Sequence, residues 1–246
     1  MPENEYVMLE LARAAGIDVP RTRLIPITAV GNLPAEAARM GGQALAVERF
    51  DRAQAGRERI HMEDFAQVFG LYPEAKYKSV SYANIARVLW AEAGPDATYE
   101  FIRRIAFSVL IGKADMHLKS WSILYRDRRK ATLSPAYDFV ATLPDLPEDR
   151  LALTFGNARS LTEISADQIR AFVDRAGLLA PPVQRVIAET VDRVTEAWAQ
   201  LAAKDLLPAA LREPIARQID EAATRTRPHV RKYASSAESM GELRLR

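Results

Sequence analysis

The residues of this 246-residue chain that could act together in chemistry lie between Gly112 and Val140, in the stretch GKADMHLKSWSILYRDRRKATLSPAYDFV. Asp115 and Asp138 bracket a segment that reads as a β-hairpin. Trp121, Ile123 and Tyr125 alternate on one face, Asp127 to Lys130 makes the turn, and Ala131 to Ser134 returns. Closing such a hairpin brings two carboxylates that are distant in sequence toward each other. Phosphoryl transfer needs groups of this kind, because it is governed by in-line placement of a hydroxyl and by screening of phosphate charge by metal. Catalytic loops of the protein-kinase type place an Asp as base, an Asn for magnesium five positions on, and a later Asp-Phe-Gly. Here the same offsets hold Asp115, Ser120 and Asp138-Phe139-Val140. His117 and Lys119 lie between them and could orient the loop or neutralise phosphate. Aspartates near turns and hydrogen-bonded loop histidines are also ordinary structural features, so spacing alone leaves both readings open.

Other chemistries have less support. The histidines are His61, His117 and His229, with no HExxH zinc motif. There is no GxSxG nucleophile elbow and no Walker A loop, and no two glycines are separated by a single residue. Zero cysteines exclude a disulfide framework and any cysteine-based nucleophile or zinc site, and are compatible with a reducing cytoplasm. A net charge of +2 does not by itself argue for nucleic acid. The basic clusters at Arg126 to Lys130 and at Arg225, Arg227, Arg231 and Lys232 read as a solvated turn and tail. The acidic start MPENEYVMLE has neither the basic region nor the apolar run of a signal peptide, and no apolar run reaches the roughly 18 residues of a membrane span. The expectation is a cytoplasmic protein without membrane or direct nucleic-acid contacts.

The elements that must position the two aspartates follow from periodicity. Met8, Leu11, Ala12 and Ala15 predict a helix over Asn4–Ala15, with Gly16 as its C-cap. Strands are expected at 22–27 and 44–50, Pro26 suiting an edge, and a short helix at His61–Phe69. From Ser81 the pattern is helical, broken at Gly94-Pro95. Tyr99 to Ile111 is apolar nearly all round, which predicts a central buried helix running into Asp115. Leu151–Phe155 is a weaker strand candidate, and Ser165 with Gln168 resembles a capping box opening a helix to Ala176. Two further long helices are expected at Pro182–Ala203 and from Pro208 to about Thr226. The predicted fold class is α+β and predominantly α, a protein-kinase-like large helical lobe with a remnant of the small lobe. Residues 1–52 would form that remnant and its hinge, 53–226 the helical lobe carrying the catalytic hairpin at 112–140, and 227–246 a frayed tail.

Read in order, the motifs resemble the C-terminal kinase region of the HipA family, bacterial serine/threonine kinases that act as toxins in toxin-antitoxin systems. Asn4-Glu5-Tyr6 with Leu11 to Ile17 looks like the family's opening helix, and Val47 to Arg52 like its adenine-binding hinge. His61 to Phe65 with Gln67, Lys76-Tyr77, Leu110 to Gly112, Asp115 to Ser120 and Pro135 to Asp138 follow in the family's order, so the likeness covers about Asn4 to Leu179. By this resemblance Asp115 is the catalytic base, assisted by His117 and Lys119. Asp138 binds metal, Glu48 and Phe50 meet adenine, and Asp51 lies near the ribose. ATP and Mg2+ would be the cofactors. The substrate would be a protein, typically an aminoacyl-tRNA synthetase in this family, and an antitoxin would be a partner.

Three positions depart from the family pattern. Ser120 stands in the place of a metal-binding Asn, keeping an oxygen ligand of shorter reach. Met62 stands where a polar residue can lie near the ribose. The family's ATP-anchoring lysine precedes the hinge, yet the first lysine here is Lys76. A lysine about 4 Å from a phosphate contributes a gross few kcal/mol at an effective dielectric near 20, so this departure outweighs the other two. The expectation is a kinase core that transfers the γ-phosphoryl of ATP to a protein hydroxyl and takes its small lobe from a partner polypeptide. The alternative is a non-catalytic remnant or pseudokinase acting as a protein-binding module.

Overall fold

The computed structural model describes residues 2–34, 36, 39, 41–53, 58–72, 80–144 and 150–227. Lys76-Tyr77 and the tail beyond Arg227 therefore lie outside the described residues. The chain opens with α1 (Pro2–Ala14), whose Val7, Met8, Leu11 and Ala12 are buried at the helical spacing read from sequence. Gly16 closes it with φ +83°. Strands β1 (Thr22–Pro26) and β2 (Gln43–Val47) then pair antiparallel, Thr22 opposite Val47 and Pro26 opposite Gln43. Among the described residues this sheet has two strands, so both are edges, which is where a proline lacking its N–H is tolerated.

The segment expected as one short helix at His61–Phe69 divides. His61–Asp64 is strand β3, and only Phe65–Val68 is helical, as α2. Asp64 produces the switch. Its carboxylate accepts from the Gln67 N–H at 2.9 Å, and the Gln67 carbonyl oxygen accepts from the Asp64 N–H at 2.9 Å, a closed capping box. β3 pairs antiparallel with β4 (Ser122–Tyr125), which also pairs with β5 (Thr132–Leu133). The hairpin predicted around the 127–130 turn thus exists, but with a third strand beside it. Ser122 and Leu124 are buried along with Trp121 and Ile123, so β4 is covered on both faces rather than one.

The helical body consists of α3 (Tyr82–Glu92), α4 (Pro95–Ile111), α5 (Ala166–Ala176), α6 (Ala180–Gln200) and α7 (Ala209–Thr226). Pro95 opens α4 at its first turn, a position where its missing N–H costs nothing. Phe101, Ile102, Ile105, Phe107, Val109 and Leu110 of α4 are all buried. The helix packs against α3, α6 and α7, the central position its all-round apolar character predicts. A second hairpin, β6 (Arg150–Phe155) with β7 (Ala158–Ser160), lies against α3 and α5. The helix expected after Ser165 is present, but its capping box is not. Ser165 makes no side-chain cap bond, and the Gln168 carbonyl oxygen instead accepts from the Asn157 N–H at 2.7 Å.

Candidate active site

Asp115 leaves α4 three residues after Gly112, and the exit is over-determined. Gly112 adopts φ +75°, and a Cβ there would lie 3.0 Å from Leu143 Cβ and 3.1 Å from Gln218 Cγ, so both the turn and the space call for glycine. Its carbonyl accepts from the N–H groups of Thr142 and Leu143 at 3.1 and 2.9 Å, tying the loop to the chain that follows Asp138. The Ala114 N–H donates to Thr142 Oγ1 at 3.2 Å, and the Ala114 carbonyl accepts from Ala152 N–H at 3.2 Å. From α3, the buried Tyr82 hydroxyl donates to the Met116 carbonyl at 3.0 Å. Burial pushes the Tyr82 phenol far above its ordinary pKa, with the nearby Asp115 charge adding to the shift, so it stays a donor. The loop carrying Asp115 is thus held from three parts of the chain, the 142–143 segment, Ala152 and Tyr82.

Asp138 is reached from the other end of the hairpin. Arg104 of α4 is buried, donates to the Ser134 carbonyl at 2.7 Å and pairs with Glu100 at 2.9 Å, fixing the chain just before Pro135. Burial lowers the pKa of this guanidinium and the Glu100 carboxylate opposes that. Beyond Asp138, buried Asn4 of α1 makes two reciprocal bonds with Ala141, donating at 3.0 Å and accepting at 3.1 Å. Phe139 packs on Phe107 with ring centroids 4.7 Å apart. Asp138 itself adopts φ +60°, a left-handed conformation that costs energy in a non-glycine residue and that Asp tolerates better than most. Fixed contacts on both sides hold that conformation, a pattern met at functional sites.

Side chains lead from Asp138 toward Asp115. His117 Nε2 lies 4.0 Å from Asp115 Oδ2, His117 Nδ1 is 3.1 Å from Ser120 Oγ, and Ser120 Oγ donates to Asp138 Oδ2 at 3.0 Å. Since Ser120 has one proton and gives it to Asp138, the remaining contact asks for a proton on His117 Nδ1. The side chains of Asp115 and Asp138 are 45% and 43% exposed, open enough to meet a substrate, whereas Ser120 is 8% exposed. Lys119 is exposed, and its carbonyl accepts from Tyr137 Oη at 2.9 Å.

Two charged groups at this site carried no assigned role in the sequence reading. Lys113, with a side chain 4% exposed, donates from Nζ to Asp138 Oδ2 at 3.1 Å. Glu5 lies close enough for burial first, and then the Asp138 charge, to raise its pKa, while Lys113 opposes them. Lys113 stands inside the quoted 112–140 stretch and Glu5 inside Asn4-Glu5-Tyr6. The signal available was a charged residue next to the capping glycine of an apolar helix, a position facing inward.

The hinge residues are placed differently. Phe50 meets Tyr137, the neighbour of Asp138, with ring centroids 5.7 Å apart. The exposed Glu48 donates its N–H to Arg21 O at 2.9 Å and has its carboxylate 3.9 Å from Arg21. Asp51 accepts from Arg49 at 2.9 and 2.6 Å and from Arg52 at 2.5 Å, and the Arg49 hydrogen bonds, aided by Arg52, hold its carboxyl down at about 2. This carboxylate is committed to two guanidinium groups. A hollow of about 760 Å³ is lined by Tyr6, Glu10, Arg13 and Glu48 among others, but neither Asp115 nor Asp138 borders it. Among the described residues no three His, Asp or Glu side chains group as a metal site, so a cation at Asp138 would complete its shell with phosphate oxygens and water.

Comparison with known proteins identifies the family. The sequence matches the HipA-like C-terminal domain over residues 1–198. Two proteins of Sinorhizobium fredii named as candidate kinases are similar: Y4dM, 44% identical over 80% of this chain and 48% of its own length, and Y4mE, 33% identical over 81% and 46%. The chain therefore spans about half the length of these curated relatives. In structure it resembles HipA of Shewanella oneidensis, solved with HipB and operator DNA, with a TM-score of 0.75 and 24% identity over 92% of this chain and 56% of that one. It also resembles the Helicobacter pylori proinflammatory kinase CtkA, at TM-score 0.50 and 13% identity over 91% and 82%. With its kinase-like fold and a sequence match across most of its length, the chain belongs to the HipA-like C-terminal domain family.

Proposed function

We propose that this chain is the base-and-metal half of a HipA-like serine/threonine protein kinase, with the small lobe that completes the nucleotide site supplied by polypeptide outside these residues. The single observation that carries this reading is the side-chain connection from Asp115 through His117 and Ser120 to Asp138. In the proposed reaction a serine or threonine hydroxyl of a protein attacks the γ-phosphorus of ATP. The bond to the β,γ-bridging oxygen breaks, ADP leaves, and the hydroxyl proton passes to Asp115. His117, fixed by Ser120, orients Asp115. Exposed Lys119 offers positive charge to the transferring phosphoryl group. Phe50 would lie against adenine and Glu48 offer backbone groups to it. Asp51, with both oxygens occupied by arginines, would meet the ribose only by giving up one of those bonds.

The donor set at Asp138 suits a magnesium ion, being all oxygen with a half-exposed carboxylate and the Ser120 hydroxyl beside it. Such an ion would supply positive charge that screens the phosphates. Asp138 and Ser120 are the residues that would hold it. By resemblance the target is an aminoacyl-tRNA synthetase and the partner an antitoxin, with the chain acting as the toxin of the pair in the cytoplasm. The pairing of the Shewanella protein with HipB supports the antitoxin part.

Incubation of the chain with γ-labelled ATP, in the presence and absence of proteins encoded beside it, tests the proposal. Label should enter protein when the small-lobe polypeptide is present, and Asp115→Asn should reduce incorporation by about 10²–10⁴-fold. Silence under both conditions, or an Asp115→Asn variant as active as the parent, overturns it. A second reading, a protein-binding pseudokinase, is favoured by the ammonium of Lys113 resting on Asp138. Silence together with retained partner binding would select it.

A further inference from the structure

Lys113 has no part in the chemistry proposed above, yet it is a deeply buried charge in direct contact with Asp138. Its side chain is 4% exposed, against 43% for Asp138, so the pair has an inner cationic side and an outer carboxylate side. Nζ lies 3.1 Å from Asp138 Oδ2, and the same oxygen accepts the Ser120 hydroxyl at 3.0 Å. Burial of the side chain confines the ammonium. Its backbone is pinned where the Lys113 N–H donates to Ser108 O at 2.8 Å, immediately after the left-handed Gly112. Asp138 cannot retreat either, since Arg104 and Asn4 fix the chain on both sides of it. A cation approaching Asp138 from solvent therefore meets a carboxylate that already has a fixed positive partner and has already received one hydroxyl hydrogen.

We infer that Lys113 is a resident counter-cation of Asp138 that sets the site's affinity for divalent metal. Without nucleotide the site takes metal only weakly, and metal arrives with the nucleotide's phosphates instead of waiting in the apoprotein. Extra negative charge from the phosphates is what allows a divalent ion and an ammonium to share one carboxylate. This inference rests on the reading of Asp138 as the metal ligand. It concerns Lys113 as a specificity-determining residue and not as a catalytic one.

The test is a titration of the whole chain with Mn2+ alone, following free Mn2+ by electron paramagnetic resonance, so that no turnover is needed. The parent should bind with a half-saturation no tighter than about 1 mM, in the range of sites with few charged ligands. Lys113→Met, which keeps the length of the side chain and removes the charge, should tighten binding at least about tenfold, or about 1.4 kcal/mol. Lys113→Gln, which retains a donor toward Asp138, should do the same. Adding Asp138→Asn to either should abolish the gain. Micromolar Mn2+ binding by the parent overturns the inference whether or not the variants fold. So does a folded Lys113→Met or Lys113→Gln protein, checked by circular dichroism, whose Mn2+ affinity is unchanged. Tightened binding that depends on Asp138, in a chain that never transfers phosphate, would uphold this inference while removing the kinase reading. Phosphoryl transfer by a chain with tight apo-state Mn2+ binding would do the reverse.

Discussion

The 112–142 region and the 43–53 region are two sides of one candidate site, and they are built by different means. Around Asp115 and Asp138 the holding groups come from distant parts of the chain: buried Asn4 from α1, Tyr82 from α3 and Arg104 from α4, and half-buried Thr142 from beyond Asp138. Around Asp51 they are neighbours in sequence, Arg49 and Arg52, on a segment that continues from a two-stranded sheet. Two strands alone are marginal in water, and sequence-local surface ion pairs add little. The difference teaches that the side carrying Asp115 and Asp138 is held by long-range bonds from the helical core, while the side carrying Asp51 relies on sequence-local contacts.

The contrast can be broken most severely at Arg104. Arg104→Ala leaves the buried Ser134 carbonyl without its donor and removes a cation from beside Glu100, and should cost about 3 kcal/mol in a urea melt. A loss below about 1 kcal/mol would mean that the Asp138 segment does not depend on the helical core. Tyr82→Phe is a smaller probe of the same side. It leaves the Met116 carbonyl unpartnered and should destabilise the chain by about 1–2 kcal/mol. It should also lower any phosphoryl transfer through displacement of Asp115, with the KM for ATP little changed. Asp51→Asn should have the smallest effect. Its carboxyl lies near 2 in the folded chain against an ordinary 3.8, so the stabilisation is complete above about pH 5 and is lost as pH falls through 3.8 toward 2. Thermal melts of Asp51→Asn should lie slightly below the parent at pH 7 and converge with it as pH falls from about 4 to 2.

Much of the catalytic side was legible in the sequence because its cues are strong and local. The apolar circumference of α4, the glycine at its end and the 127–130 turn fix where the aspartates must stand. β3 was hidden because His61-Met62-Glu63-Asp64 has no apolar alternation, and its strand character comes from pairing with buried β4. The Gln168 side chain reads equally well as a cap or as a tertiary acceptor, and only the approach of Asn157 decides between them. Lys113 was the costliest omission. A lysine in sequence suggests surface, and its burial follows from a carboxylate 25 residues later that folds back over it. Asn4 was read as part of a family motif, but its bonds span 137 residues and no local pattern predicts them.

Native-state hydrogen exchange, resolved by residue, tests the contrast most directly. The Lys113 and Ala141 amides, bonded to Ser108 O and to Asn4 Oδ1, should exchange only with global unfolding. The Glu48 and Ala53 amides, bonded to Arg21 O and Glu58 O, should exchange at least about 100-fold faster, through local opening. Equal protection at the four positions would contradict the account, because the hinge side would then be as firmly built as the loop that carries Asp115.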